Sequence, residues 1–118
     1  MDLLAELKGL GCNVEEGTAR FMGNAALYEK MIRKLPASVN PLDEKILPAM
    51  EAENLEESIS ATHTIKGVTG NLSITPLYTA YTEIVNLLRS NKIPEAKKLY
   101  LETVPVQKEI LEMIEKNS

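Results

Sequence analysis

Residues 55–72, LEESISATHTIKGVTGNL, decide the fold class because their apolar side chains recur at helical spacing. On a projection of about 100° per residue, one stripe falls within about 80°; it consists of Ser58, Ala61, Ile65, Val68 and Leu72. Such a stripe predicts an amphipathic helix that buries one face. His63, the only histidine of the chain, lies roughly opposite the stripe. We therefore predict a helix over about residues 55–72 with His63 on its exposed face.

The segments upstream of this helix also carry helical periodicity, and strand-like alternation is missing throughout the chain. A short helix is predicted from Asp2 to about Leu10. Asn13 is a good cap for the next helix, whose apolar stripe continues to Leu35. An interruption of that stripe is expected at Gly23-Asn24.

Prolines mark further helix boundaries. The stretch 36–41, which begins and ends with proline, is predicted to be a connector. Pro41 would then open a third helix, because proline at the first helical position loses no needed donor, and Pro48 would bend it. Pro76 and Pro94 are predicted to open the last two helices by the same reasoning.

These elements predict an all-α fold, an antiparallel up-and-down four-helix bundle with a short extra N-terminal helix. The 118 residues are 44% hydrophobic and 25% charged, which fits a single domain over residues 1–118. Cys12 is the only cysteine, so an internal disulfide is excluded and no Cys/His cluster can hold zinc.

Composition also argues against several classes of function. The net charge is −4, aromatic residues make up 4% and tryptophan is absent, so a nucleic-acid partner is not expected. No apolar stretch approaches the roughly 20 residues that span a bilayer, and the N-terminus lacks a basic signal-peptide start. We therefore expect a cytoplasmic protein with no membrane partner.

The residues around His63 suggest a chemistry. Lys66, Gly67 and Gly70 follow it by three, four and seven residues, and Ile59 precedes it by four, so all four share its face. A neutral imidazole is a nucleophile, and phosphoryl transfer needs positioning and compensation of phosphate charge, which Lys66 can supply. Each glycine costs the helix roughly 1 kcal/mol relative to alanine, but bare backbone would let another protein's active site reach the imidazole. Ile59 would add an apolar docking contact.

Each of these residues also has an ordinary interpretation. Gly67 and Gly70 could mark close packing against a neighbouring helix. Lys66 alone would be a solvated charge. Ile59 alone would be one exposed apolar residue among many.

The stretch from Ala61 to Leu72 resembles the phosphorylation-site helix of histidine-containing phosphotransfer (HPt) domains, whose pattern is a histidine, one residue, an aliphatic, lysine and glycine. The resemblance implies that His63 accepts a phosphoryl group through Nε2 from a receiver-domain aspartate and passes it to another receiver. Lys66 would steady the phosphate and Gly67 would permit the approach. Further residues that match the family's pattern are Gly17, Arg20, Phe21, Gly23, Leu27, Tyr28, Leu35 and Leu77.

The resemblance also implies the partners. They are response-regulator receiver domains and a sensor or hybrid histidine kinase. Such domains use no cofactor of their own, since the Mg²⁺ belongs to the receiver. We expect the carrier to be a monomer.

Two positions depart from the family's pattern. Ser73 stands where glycine is frequent after the site helix, which concerns only the local turn. Val85 stands where many members, above all the chemotaxis-kinase type, carry a glutamate that orients the histidine. This departure favours a receiver-to-receiver carrier, unless Glu83 takes over from the neighbouring face.

A second interpretation comes from another class of function. The chain would be a helical adaptor or inhibitor that docks on a receiver or kinase without carrying phosphate. An enzyme is the weakest interpretation, because one histidine without a nucleotide motif leaves few catalytic arrangements. We therefore expect a phosphohistidine carrier without ATP-dependent kinase activity of its own.

Overall fold

A computed structural model describes residues 2–117, and within this range every regular element is an α-helix. The predicted all-α class is confirmed. None of the described helices combines the length and the apolar character that crossing a bilayer requires. The helices are α1 (Leu3–Gly9), α2 (Val14–Arg20), α3 (Ala25–Arg33), α4 (Leu35–Glu51), α5 (Leu55–Asn71), α6 (Thr75–Arg89) and α7 (Ile93–Lys116).

Asparagine side chains begin three of these helices. Asn13, Asn24 and Asn54 each accept a hydrogen bond from the backbone N–H three residues further on, at 3.0–3.1 Å, which satisfies a donor that the first helical turn leaves free. The predicted interruption at Gly23-Asn24 is confirmed, since α2 ends at Arg20 and α3 begins at Ala25. Met22 and Gly23 both have positive φ, 57° and 80°, and they separate α2 from α3.

The predicted connector over residues 36–41 is wrong, because α4 begins at Leu35 and runs through both prolines. Pro36 lies in the first turn, where no backbone donor is needed. Pro41 lies inside the helix and leaves the carbonyl of Ala37 without its usual partner. Ala37 and Pro41 are both exposed, so water can donate a hydrogen bond to the Ala37 carbonyl. Lys34 alone separates α3 from α4.

The four longest helices enclose the core. Helix α5 packs against α4 and α6, and α7 packs against α6 and α4, so that α4 and α6 separate α5 from α7. Removing large aliphatic side chains from water supplies about 1.5–3 kcal/mol for each side chain. Fully buried members of the core include Ile32, Leu35, Ile46, Ile65, Leu77, Ile84, Leu88, Ile110 and Ile114.

The N-terminal helices are fastened to the end of α5. The buried Tyr28 hydroxyl donates a hydrogen bond to the carbonyl oxygen of Leu72 at 2.6 Å. Gly17 makes room for this ring, since a Cβ at that position would overlap Tyr28. Ser73 has a φ of 55°, in the left-handed region that favours glycine, and its hydroxyl donates to Glu16 at 2.8 Å. The turn after α5 is therefore held by side chains from α2 and α3.

Candidate functional site

His63 lies on the exposed side of α5, as predicted. The opposite face is buried through four of the five stripe residues, Ser58, Ala61, Ile65 and Leu72. Val68, the fifth, is only partly buried. The helix and its orientation are thus the ones that the periodicity indicates.

Two buried threonines widen this face beyond the predicted stripe. Thr62 and Thr69 are fully buried, and their hydroxyls donate to the carbonyl oxygens of Ser58 and Ile65, at 2.8 Å in both cases. Because the hydroxyl is satisfied four residues back in the same helix, burying it costs little. The buried surface therefore extends to the position next to His63.

The imidazole and the neighbouring ammonium have no competing partners. Within residues 2–117, neither the His63 nor the Lys66 side chain takes part in a hydrogen bond or an ion pair. His63 is exposed and Lys66 is partly buried one turn further on. Both groups are therefore free to contact a ligand that approaches α5 from solvent.

Gly67 leaves this face of the helix bare. It is exposed, and no heavy atom of a neighbouring side chain or element lies within 4 Å of the position that a Cβ would take. Packing thus does not account for the glycine. A larger side chain here would project into the solvent on the same face of α5 as His63.

Gly70 is different, and the open surface expected there is not present. The ring of Tyr78, on α6, lies so close that a Cβ on Gly70 would be 2.7 Å from Cδ1 and 2.8 Å from Cε1. Gly70 therefore fits the alternative interpretation, close packing against a neighbouring helix.

Ile59 is not the isolated, exposed apolar side chain that the sequence suggested. It is partly buried and packs against the core. Only a part of this side chain remains available to a partner.

Helix α6 places Val85 level with His63. Three residues connect α5 to α6, and the Tyr78–Gly70 contact fixes the pairing of the two helices, which run in opposite directions. His63 precedes Gly70 by seven residues on α5, and Val85 follows Tyr78 by seven residues on α6. Seven residues correspond to a rise of about 10.5 Å along a helix and return to within about 20° of the same side. His63 and Val85 are therefore displaced from the Tyr78–Gly70 contact by the same distance in the same direction. Val85 is fully buried. The residue of α6 at the level of His63 is therefore apolar and buried, not a carboxylate.

Glu83 does not take the place of the glutamate that is missing at Val85. It is exposed, but lies about 140° around α6 from Tyr78 on the helical projection. It therefore faces away from the side of α6 that borders His63.

Two clefts flank the C-terminal half of α5. The larger, of about 570 Å³, has an apolar floor that includes Phe21, Met31 and Val68. The smaller, of about 370 Å³, is lined by polar side chains and by Tyr78. The Arg20 side chain borders both clefts.

Cys12, a side chain that could act as a nucleophile, lies outside this site. Cys12 is buried, and burial raises the pKa of its thiol from 9.0 to about 11. Because the thiolate is the reactive form, this residue is chemically quiet near neutral pH.

Comparisons with known proteins add no relative. No protein-family model, no curated protein and no solved structure matches the chain. Within residues 2–117, no three histidine, cysteine, aspartate or glutamate side chains come together in a group that could hold a metal ion.

Proposed function

We propose that this protein is a phosphorelay carrier, in which His63 accepts a phosphoryl group from the aspartate of one receiver domain and passes it to another. The observation that carries the proposal is the bare backbone at Gly67, beside an exposed imidazole without a partner. A helix pays about 1 kcal/mol for such a glycine, and nothing in the packing explains it. Access to His63 does explain it.

The proposed transfer is a nucleophilic substitution at phosphorus. The lone pair on Nε2 of His63 forms the P–N bond as the P–O bond to the partner's aspartate breaks, and the aspartate leaves as a carboxylate. The ring then sheds its positive charge by losing the Nδ1 proton to water. Lys66, which no carboxylate of the described residues neutralises, attracts the phosphoryl oxygens as they approach.

The buried Val85 supports the receiver-to-receiver form of this proposal. A carboxylate beside the imidazole would hold the ring through Nδ1 and assist proton movement. Val85 offers neither a charge nor a hydrogen bond, so the chain depends on its partners to supply the activated phosphoryl group. Accordingly, we propose no ATP-dependent kinase activity for the chain itself.

The proposal extends to the architecture and the cell compartment. Helices α4 to α7 would form an up-and-down four-helix bundle, with α1 to α3 as an N-terminal addition that closes one end. Receiver domains and histidine kinases of this kind act on the cytoplasmic side of signalling systems, and we place the carrier there.

The direct test is to mix the protein with receiver domains of the source organism and a ³²P-labelled phosphodonor. We expect label on the protein that is lost in acid and stable in base, as a phosphoramidate is. His63→Gln should abolish it. Thr64→Ala is the matched control, because Thr64 is the exposed neighbour of His63 and its phosphoester would survive acid.

The adaptor interpretation makes the opposite prediction. A receiver that binds the protein and leaves it unlabelled would support an adaptor or inhibitor. Label that persists in His63→Gln would also refute the carrier proposal.

A further inference from the structure

Tyr78 presents a partly exposed aromatic ring on α6. Its side chain is 41% exposed although it lies in the first turns of a well-packed helix. One edge of the ring lies against the backbone of Gly70, at a distance that leaves no room for a Cβ. The absence of a Cβ at Gly70 thus provides a seat for the ring, and the Gly70 backbone blocks its movement on that side. An aromatic side chain ordered in advance loses little entropy when a partner covers it.

Tyr78 also lies within reach of any domain that contacts His63. Gly70 is seven residues from His63, a rise of about 10.5 Å along α5 on nearly the same side. A standard protein interface covers about 800 Å² per partner, a disc of about 16 Å radius. A folded domain whose aspartate meets the imidazole therefore covers Gly67 and extends to Tyr78.

The surroundings of the ring suit a protein partner. The cleft of about 370 Å³ beside it is lined mainly by polar residues, among them Arg20, whose half-exposed side chain forms an ion pair with Glu16 at 3.5 Å. A fixed aromatic ring next to a partly exposed guanidinium and a polar cleft has the composition of an interface centre, where tyrosine and arginine are enriched.

We infer that Tyr78 is a specificity-determining anchor for the receiver domain that exchanges phosphate with His63. The inference rests on the proposed function and deepens it, because it assigns part of the docking surface to α6 and gives Gly70 a task distinct from that of Gly67. Gly67 would keep the approach open, whereas Gly70 would hold the anchor in place.

The test separates chemistry from docking. The protein is first phosphorylated on His63 with phosphoramidate, a small donor that needs no docking surface. It is then mixed at increasing concentration with the receiver that accepts label fastest from the unaltered protein. For Tyr78→Ala we expect unchanged labelling by phosphoramidate, a half-saturating concentration raised about 10-fold, and an unchanged maximal transfer rate. Tyr78→Phe, which keeps the ring, should behave like the unaltered protein to within about 3-fold.

A second variant addresses the seat itself. Gly70→Ala should displace the ring and raise the half-saturating concentration in the same direction. In the Tyr78→Ala background the same change meets no ring, so the double variant should match Tyr78→Ala alone. Leu101→Ala is the matched control, because Leu101 is 48% exposed on α7, which α4 and α6 separate from α5. It should leave transfer unchanged.

If Tyr78→Ala and the unaltered protein reached half-saturation at the same receiver concentration, the inference would be overturned. So would an effect of Gly70→Ala that persists in the absence of the ring. If neither phosphoramidate nor any receiver labels His63 in the unaltered protein, the proposed function fails, and the anchor fails with it.

Discussion

Gly67 and Gly70 provide a matched pair for testing the packing around the candidate site. They lie three residues apart in α5, and each should cost that helix about 1 kcal/mol relative to alanine. Their surroundings differ: nothing lies within 4 Å of a Cβ on Gly67, whereas a Cβ on Gly70 would meet the Tyr78 ring at 2.7 Å. Alanine should therefore have different effects at the two positions.

For Gly67→Ala we expect the free energy of unfolding to rise by about 1 kcal/mol, equivalent to about 4 °C in Tm. For Gly70→Ala this gain in the free energy of unfolding is offset, because the new Cβ would force the Tyr78 ring to move outward. Exposing on the order of 50 Å² of ring surface at about 25 cal/mol per Å² costs about 1 kcal/mol. We expect no net gain, or a loss, at this position.

Urea unfolding followed by circular dichroism measures both values under identical conditions. The double variant with Tyr78→Ala is informative, because without the ring Gly70→Ala should become stabilising. If Gly67→Ala destabilised the fold, or if Gly70→Ala stabilised it as much as Gly67→Ala does, the packing described for this face would be wrong.

Three further predictions concern access, the fastening of the N-terminal helices and pH. Gly67→Gln should slow transfer from a receiver by about 10-fold or more while leaving labelling by phosphoramidate intact; the same change at exposed Gly9, whose Cβ position is equally open, should leave transfer rates unchanged. Tyr28→Phe should lower the free energy of unfolding by about 1–2 kcal/mol, because it strands a buried carbonyl; a urea midpoint equal to that of the unaltered protein would contradict this. Burial raises the pKa of the Cys12 thiol from 9.0 to about 11. Between about pH 9 and 11 the thiol therefore ionises in the unfolded chain before it does in the folded protein, and the free energy of unfolding falls as the pH rises. Cys12→Ala should therefore show a shallower loss of stability over that range in pH-dependent urea titrations, and parallel curves would refute the assignment.

Periodicity predicted the parts of the structure that depend on which side chains avoid water. The stripe through Ile65 and Leu72 placed α5 and left His63 exposed, because a 3.6-residue repeat leaves little choice of face. It did not place Thr62 or Thr69, whose hydroxyls are satisfied inside the helix, so that their burial leaves no trace in a hydrophobic pattern.

The errors arose where a local rule was overridden by the surroundings of the residue in the fold. Prolines usually break helices, yet Pro41 lies inside α4. The carbonyl of Ala37, which loses its usual hydrogen-bond donor, belongs to an exposed residue that water can reach. Gly67 and Gly70 are alike in sequence, and only the position of Tyr78 on another helix separates their roles. No signal within residues 55–72 contains that information. The role of His63 in phosphoryl transfer stays a prediction that labelling can decide.

The placement of α7 across the fold from α5 has a practical consequence. Cys12 is the only cysteine and is buried, so one engineered thiol would be the sole accessible one. At Lys108, an exposed position on α7, that thiol would carry a fluorophore or a surface linker on the side of the molecule away from His63. Binding of a partner to α5 can then be followed in real time, or on an immobilised protein, with the candidate surface left untouched.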